Sequence, residues 1–209
     1  MSKRVQQINP AMARRQNRIR IIGGMWRSRI LEFPDLPGLR PTADRVRETL
    51  FNWLGQNMAG QNCLDLFAGS GALGFEAASR GASSVTMVES AQPAVDALRR
   101  NRERLGAVQC HIVAREAIKM LGAQNDKFDV IFVDPPFSTE LLPVMLPKLV
   151  DCLNPGGRVY AEWGEPLPAA IARMTGSPWK VLRSGQAGAA HFALLSRDEV
   201  LSTINEATS

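Results

Sequence analysis

The stretch that most limits what this chain can fold into runs from Cys63 to Gly74. A short apolar run, Cys63 to Phe67, stops at the small residues Ala68-Gly69-Ser70-Gly71, and a helical pattern begins at once. A strand that turns through glycines into a helix exposes backbone N–H groups at the helix start and leaves no Cβ to hold a ligand away. In an open α/β sheet this is the usual seat of a nucleotide-like cofactor. Strand and helix patterns then alternate. Strands are expected at 63–67, 84–89, 108–113, 128–133, 157–162, 179–184 and 190–196, with helices at 71–80, 92–105, 115–122, 139–152 and 167–174. This rhythm demands crossovers between parallel strands. Only 185–189 separate the last two strands, so these should pair as an antiparallel hairpin. The expected architecture is α/β, with seven mostly parallel strands and an antiparallel end.

A smaller extension precedes this core. Residues 1–17 are polar and basic without a clear period and are expected to be a disordered tail. Residues 18–24 alternate Arg18-Ile19-Arg20-Ile21, a second run spans 27–33, and Gly23-Gly24 lies between them, which reads as a β-hairpin with a basic face. After a Pro/Gly connection, Thr42 or Asp44 should cap a helix to about residue 56, with Val46, Leu50, Phe51 and Leu54 at helical spacing. The expected organisation is therefore a tail at 1–17, a hairpin and helix at 18–58, the α/β core at 59–197 and a frayed tail at 198–209.

Charge now becomes informative. The formal net charge is +5, and Lys3, Arg4, Arg14, Arg15, Arg18, Arg20, Arg27 and Arg29 all precede the first acidic residue, Glu32. Phosphate binding needs such a surface. Arg18, Arg20, Trp26, Arg27 and Arg29 of the hairpin, with Arg40, Arg45 and Arg47 at the helix entrance, are the expected nucleic-acid contacts, and ordering of the helix entrance is the alternative for Arg40 and Arg47. The cysteines Cys63, Cys110 and Cys152 lack metal-ligand spacing and read as buried reduced thiols, which fits a reducing compartment. The chain has neither a membrane-length apolar run nor a signal core, and a cytoplasmic protein is expected.

Two sets of residues carry chemistry. In the first, Asp65 ends its strand, where a carboxylate can stay ionised, Gly69 and Gly71 bracket Ser70, and Glu89 ends the next strand. An acid about 20 residues after a glycine turn suits a pair of ribose hydroxyls. In the second, Val130 to Val133 runs into Asp134-Pro135-Pro136-Phe137. The prolines stiffen the turn and cannot donate, so Asp134 and the Pro135 carbonyl form an array of acceptors beside a flat aromatic. That array suits a planar base with an exocyclic amine, with Phe137 stacking on the ring. Two acceptors hold a delocalised amine closer to tetrahedral, and positioning then supplies much of the acceleration. No metal and no covalent enzyme intermediate are expected.

Asp65-x-Phe67-x-Gly69-x-Gly71 followed by Glu89 resembles the S-adenosylmethionine-dependent methyltransferases with a Rossmann-like sheet. The resemblance implies cofactor contacts from Asp65, Phe67, Ala68, Gly69, Ser70, Gly71, Glu89 and Asp134, with Glu116 the candidate beside the adenine amine; Ala114 departs from the acid or amide often found in that region. Asp134 to Phe137 resembles the Asp/Asn-Pro-Pro-Phe/Tyr motif of enzymes that methylate planar amines, which implies Asp134, Pro135, Pro136 and Phe137 as the catalytic set. Arg20-Ile21-Ile22-Gly23-Gly24-x-Trp26-Arg27, Leu39-Arg40-Pro41-Thr42-x-Asp44-Arg45-Val46-Arg47-Glu48-Thr49-Leu50-Phe51-Asn52-Trp53-Leu54 and Leu64 to Gly74 closely resemble the bacterial RsmD family over roughly residues 18–197. That family implies guanine-N2 methylation of 16S ribosomal RNA within a small-subunit assembly particle, by a protein expected to be a monomer.

Competing readings are a DNA or other amino-methyltransferase, which would leave the small basic extension to do the work of a target-recognition region, and a non-catalytic RNA-binding module on the same fold, which the intact Asp134 motif opposes. His111 and His191 have no nucleophile pattern around them and read as structural. Glu162, at the end of the fifth core strand, reads as a helix cap.

Overall fold

The computed structural model describes residues 17–122, 126–135, 141–172 and 177–198. The tails at 1–16 and 199–209 lie outside it, as do Pro136 and Phe137. A two-stranded antiparallel hairpin, β1 (Asn17–Arg20) and β2 (Ile30–Phe33), precedes helix α1 (Asp44–Leu54). The core follows as β3 (Asn62–Asp65), α2 (Ala72–Ser79), β4 (Ser84–Glu89), α3 (Gln92–Leu105), β5 (Cys110–Ala114), α4 (Ala117–Leu121), β6 (Phe128–Val133), α5 (Leu141–Leu149), β7 (Leu153–Trp163), α6 (Leu167–Ala172), β8 (Trp179–Ala187) and β9 (Ala190–Arg197).

These strands form one seven-stranded sheet in the order β5-β4-β3-β6-β7-β9-β8. All pairings from β5 to β7 are parallel, and β9 runs antiparallel to both of its neighbours. The expected architecture is thus present, with shifted edges. The strand predicted at 63–67 ends at Asp65, because Leu66 and Phe67 already turn. The strand predicted at 157–162 begins at Leu153, across an irregular register with β6. The second hairpin strand begins at Ile30, because 25–28 form the turn.

Chain order reverses between β3 and β6, so the strand ends carrying Asp65 and Asp134 open on one crevice, the expected ligand position in such a sheet. The central parallel strands β3 and β6 are buried on both faces, whereas the edge strand β5 is partly exposed. Cys63, Phe132 and Tyr160 pack towards the hairpin, α1 and α2, while Leu64, Val133 and Val159 pack towards α4 and α5. Cys63, Cys110 and Cys152 are free and buried, and burial pushes Cys63 and Cys110 up to about 12, which keeps them inert thiols.

The N-terminal hairpin and α1 share the core of the sheet, and one buried carboxylate joins them. Glu76 of α2 is fully buried. Its Oε2 accepts the Ile22 N–H at 2.9 Å and the Arg47 guanidinium at 3.2 Å, and its Oε1 accepts Arg80 Nε at 2.8 Å. The loop after β1 also closes the end of α2. The Met25 N–H donates to the Ser79 carbonyl, the Trp26 N–H donates to Ser79 Oγ, and Ser79 Oγ donates to the Gly23 carbonyl. Gly24 has φ +72°, and a Cβ there would lie 1.8 Å from the Ser79 carbonyl oxygen, so this close approach requires glycine.

Candidate active site

The crevice at the reversal point is a cavity of about 790 Å³, within the range of small-molecule and cofactor sites. Asp65, Phe67, Ala68, Gly69 and Ser70 line it from the first turn, Glu89 from β4, Glu116 from the start of α4, and Asp134 and Pro135 from β6. Both residue sets predicted from the sequence therefore meet in one space. Gly71 shapes it from outside: at φ +81°, a Cβ would lie 2.5 Å from the Phe75 ring. Pro136 and Phe137 of the expected catalytic set lie outside the described residues.

The turn is braced by the two acids. Asp65 is buried and its Oδ2 accepts the Gly74 N–H at 3.0 Å. Burial pushes its carboxyl up to about 7, against the lowering by the Gly74 hydrogen bond. Asp65 thus braces the turn from beneath, with its carboxyl held well above the usual carboxylate range. Glu89 is half-buried. Its Oε2 accepts the Gly69 N–H at 2.9 Å, and its Oε1 accepts the Ser90 and Ala91 N–H groups, each at 2.8 Å. Three backbone donors fix the Glu89 carboxylate on the cavity wall, which suits a polyhydroxyl ligand. Glu116 is exposed and pairs with Lys119 at 3.0 Å.

Asp134, just past the end of the neighbouring strand β6, keeps part of its surface open to the cavity. Its Oδ2 accepts the Thr42 hydroxyl at 3.0 Å. Thr42 therefore does not cap α1; the N-cap residue is Ala43, which has no side-chain bond. The hydroxyl that the sequence assigned to helix capping reaches 92 residues along the chain to the proposed catalytic carboxylate. Burial raises Asp134 to about 6, with the Thr42 bond opposing.

Glu162 also departs from its expected role. It is buried within β7, ahead of α6, lines the same cavity, and accepts the Tyr160 hydroxyl at 2.5 Å. Burial, and then the charge of Asp134, pushes it up to about 8. Tyr160 is held well above the usual phenol range by burial and by Glu162, so it stays a donor. The signal for this pair was present in the alternation of β7, which puts residues 160 and 162 on one face, but a strand-end acid alone does not reveal its neighbour.

The basic residues divide. Arg20, Arg27, Arg29, Arg40 and Arg45 are exposed and make no ion pair among the described residues; Arg40 also lines the cavity. Arg18 is exposed but pairs with Glu32 at 3.1 Å. Trp26 is half-buried against the core. Arg47 leaves the RNA-contact set. It is fully buried, and its guanidinium donates to Glu76, to Asp44 and to the carbonyls of Arg20 and Thr42. Arg47 thus follows the alternative of ordering the helix entrance, whereas Arg45 on the same short helix is exposed. Among the described residues no cluster of His, Cys, Asp and Glu could hold a metal ion, and no helix is long and apolar enough to cross a membrane.

Comparison with known proteins gives the same family as the motifs. The model of the family described as "Conserved hypothetical protein 95" matches residues 19–196. The chain is 41% identical to Ribosomal RNA small subunit methyltransferase D of Escherichia coli (strain K12), over 86% of this chain and 90% of that one. It is 37% identical to the protein of that name from Haemophilus influenzae, over 84% and 92% of the two chains. The solved Escherichia coli structure of yhhF superposes with a TM-score of 0.74 at 40% identity, covering 87% of this chain and 99% of that one. With its sheet order, its two acid-bearing walls and these relatives in agreement, the chain belongs to the RsmD family of ribosomal RNA small subunit methyltransferases.

Proposed function

We propose that this chain transfers a methyl group from S-adenosylmethionine to the exocyclic N2 of a guanine in 16S ribosomal RNA, acting as a cytoplasmic monomer on a small-subunit assembly particle. The observation that carries the reading is that Asp134 and Pro135 line the same cavity as Glu89 and the glycine turn. A cofactor wall and an amine-holding wall thus share one cavity. The donor fits the first wall: a fixed carboxylate for ribose hydroxyls, a turn without obstructing side chains, and Glu116 within the lining for the base. When bound, S-adenosylmethionine supplies an electrophilic methyl group.

Everything else falls to the chain. Asp134 and the Pro135 carbonyl accept the two N–H groups of the amine and aim its lone pair. Thr42 orients the Asp134 carboxylate. The same carboxylate stands where the nitrogen must lose a proton, with solvent as the other acceptor. Arg40 at the cavity and the exposed Arg20, Arg27, Arg29 and Arg45 hold phosphates while an unpaired base enters. Labelled S-adenosylmethionine incubated with unmodified small-subunit particles should place label in 16S RNA, recovered after nuclease digestion as N2-methylguanosine. Label confined to DNA or protein would rule the reading out.

A further inference from the structure

The amine-holding wall contains a second carboxyl that the mechanism above does not use. In the parallel register of β6 and β7, Val133 pairs with Ala161, which sets Asp134 beside Glu162. Glu162 is 5% exposed, and Tyr160, itself fully buried, fixes its Oε1 from below. Phe192 pairs with Glu162 on the other side, and its ring packs 6.2 Å from that of Tyr160. Among the described residues neither Asp134 nor Glu162 has an ion-pair partner. The cavity thus presents two adjacent acidic groups and calls for a ligand edge made of N–H donors.

The nucleobases differ at this point. In adenine and cytosine the exocyclic amine stands next to a ring nitrogen with a lone pair. In guanine the 2-amino group stands next to N1–H. We propose that Glu162 is a specificity-determining residue that accepts the N1–H of guanine while Asp134 and the Pro135 carbonyl hold the neighbouring amine. A base with a lone pair at N1 can be met only by the protonated carboxyl and forgoes the charge-assisted bond that guanine N1–H makes with the ionised one, so it is disfavoured. Burial raises both carboxyl groups in the free chain; N–H donors from guanine would replace the lost solvation and lower them again, with Glu162 releasing its proton to solvent as the base enters.

This inference rests on the guanine-N2 reading, and one experiment separates the two. Small-subunit particles are reconstituted with either guanine or 2,6-diaminopurine at the modified position. The analogue keeps the 2-amino group but has a lone pair at N1. The native chain should methylate guanine ~10–100-fold faster, the discrimination typical of one well-placed base contact. Glu162→Gln, whose amide can donate as well as accept, should bring the two rates to within about threefold, chiefly by raising the rate on the analogue. An unchanged preference in this variant would overturn the role of Glu162, whereas failure of the native chain to form N2-methylguanosine would overturn the function itself. S-adenosylmethionine binding by calorimetry confirms that the variant is folded. If it is not, Tyr160→Phe, which frees the Glu162 carboxyl, should narrow the preference severalfold, and an unchanged ratio there would equally defeat the proposal.

Discussion

Two places in this molecule bury carboxylates, and they are built in opposite ways. Glu76, in the hub between the hairpin, α1 and α2, meets two guanidinium groups and a backbone N–H, and Arg80 also lies over the Phe51 ring at 4.7 Å. Asp134 and Glu162 stand side by side, each with one neutral hydroxyl as its hydrogen-bond partner among the described residues. A buried charge is tolerable only when its partners are supplied. At the hub the fold supplies them, so the carboxylate holds structure together. In the cavity the described residues supply no such partners, and burial instead raises both carboxyl groups until a ligand brings donors. The same residue type is architectural in one place and receptive in the other.

Removing one partner from the hub should give the largest effect. Glu76→Ala takes from Arg47 and Arg80 their shared buried carboxylate and should lower stability by about 3–5 kcal/mol, read by urea unfolding. A loss under 1 kcal/mol would erase the contrast. In the cavity, Asp134→Ala should instead leave the fold intact and lower turnover by roughly 100- to 1000-fold, with S-adenosylmethionine affinity changed only a few-fold in calorimetry. Retention of most of the rate would refute the acceptor mechanism.

Proton linkage sharpens the comparison. Asp134 rises to about 6 in the folded chain from an ordinary 3.8, so its contribution to stability is full below the unfolded value and is lost as pH rises through about 6. Asp134→Asn should therefore be as stable as the native chain or more so at pH 8, and should lose that advantage at pH 4. Thermal unfolding at the two pH values tests the sign, and the opposite order would mean that Asp134 is compensated after all. Gly24→Ala probes the docking of the hairpin onto the hub, since its Cβ would collide with the Ser79 carbonyl; a loss of about 1–3 kcal/mol is expected in the same unfolding experiment. The smallest effect belongs to the surface. Arg27→Ala with Arg29→Ala should leave stability unchanged and reduce the slope of log affinity against log salt by about 1–2 for RNA particles. Arg47→Ala should do the reverse, because its guanidinium faces the core.

Local pattern carried much of this molecule. Alternating apolar runs and helical patterns determined an α/β sheet with an antiparallel end, and the glycine turn, Glu89 and Asp134 were legible because each sits at a strand end, where chain direction alone sends them to the same edge. The tertiary structure decided what depends on partners distant in sequence. Thr42 reads as a cap until β6 places Asp134 beside it, and Arg47 reads as a surface arginine until Glu76 closes over it. Glu162 reads as a helix cap until the β6–β7 register sets it next to Asp134. Periodicity and turn chemistry are properties of neighbours along the chain, so the sequence by itself determines them. Whether a charge is satisfied or left waiting depends on which strands and helices meet, and only packing settles that.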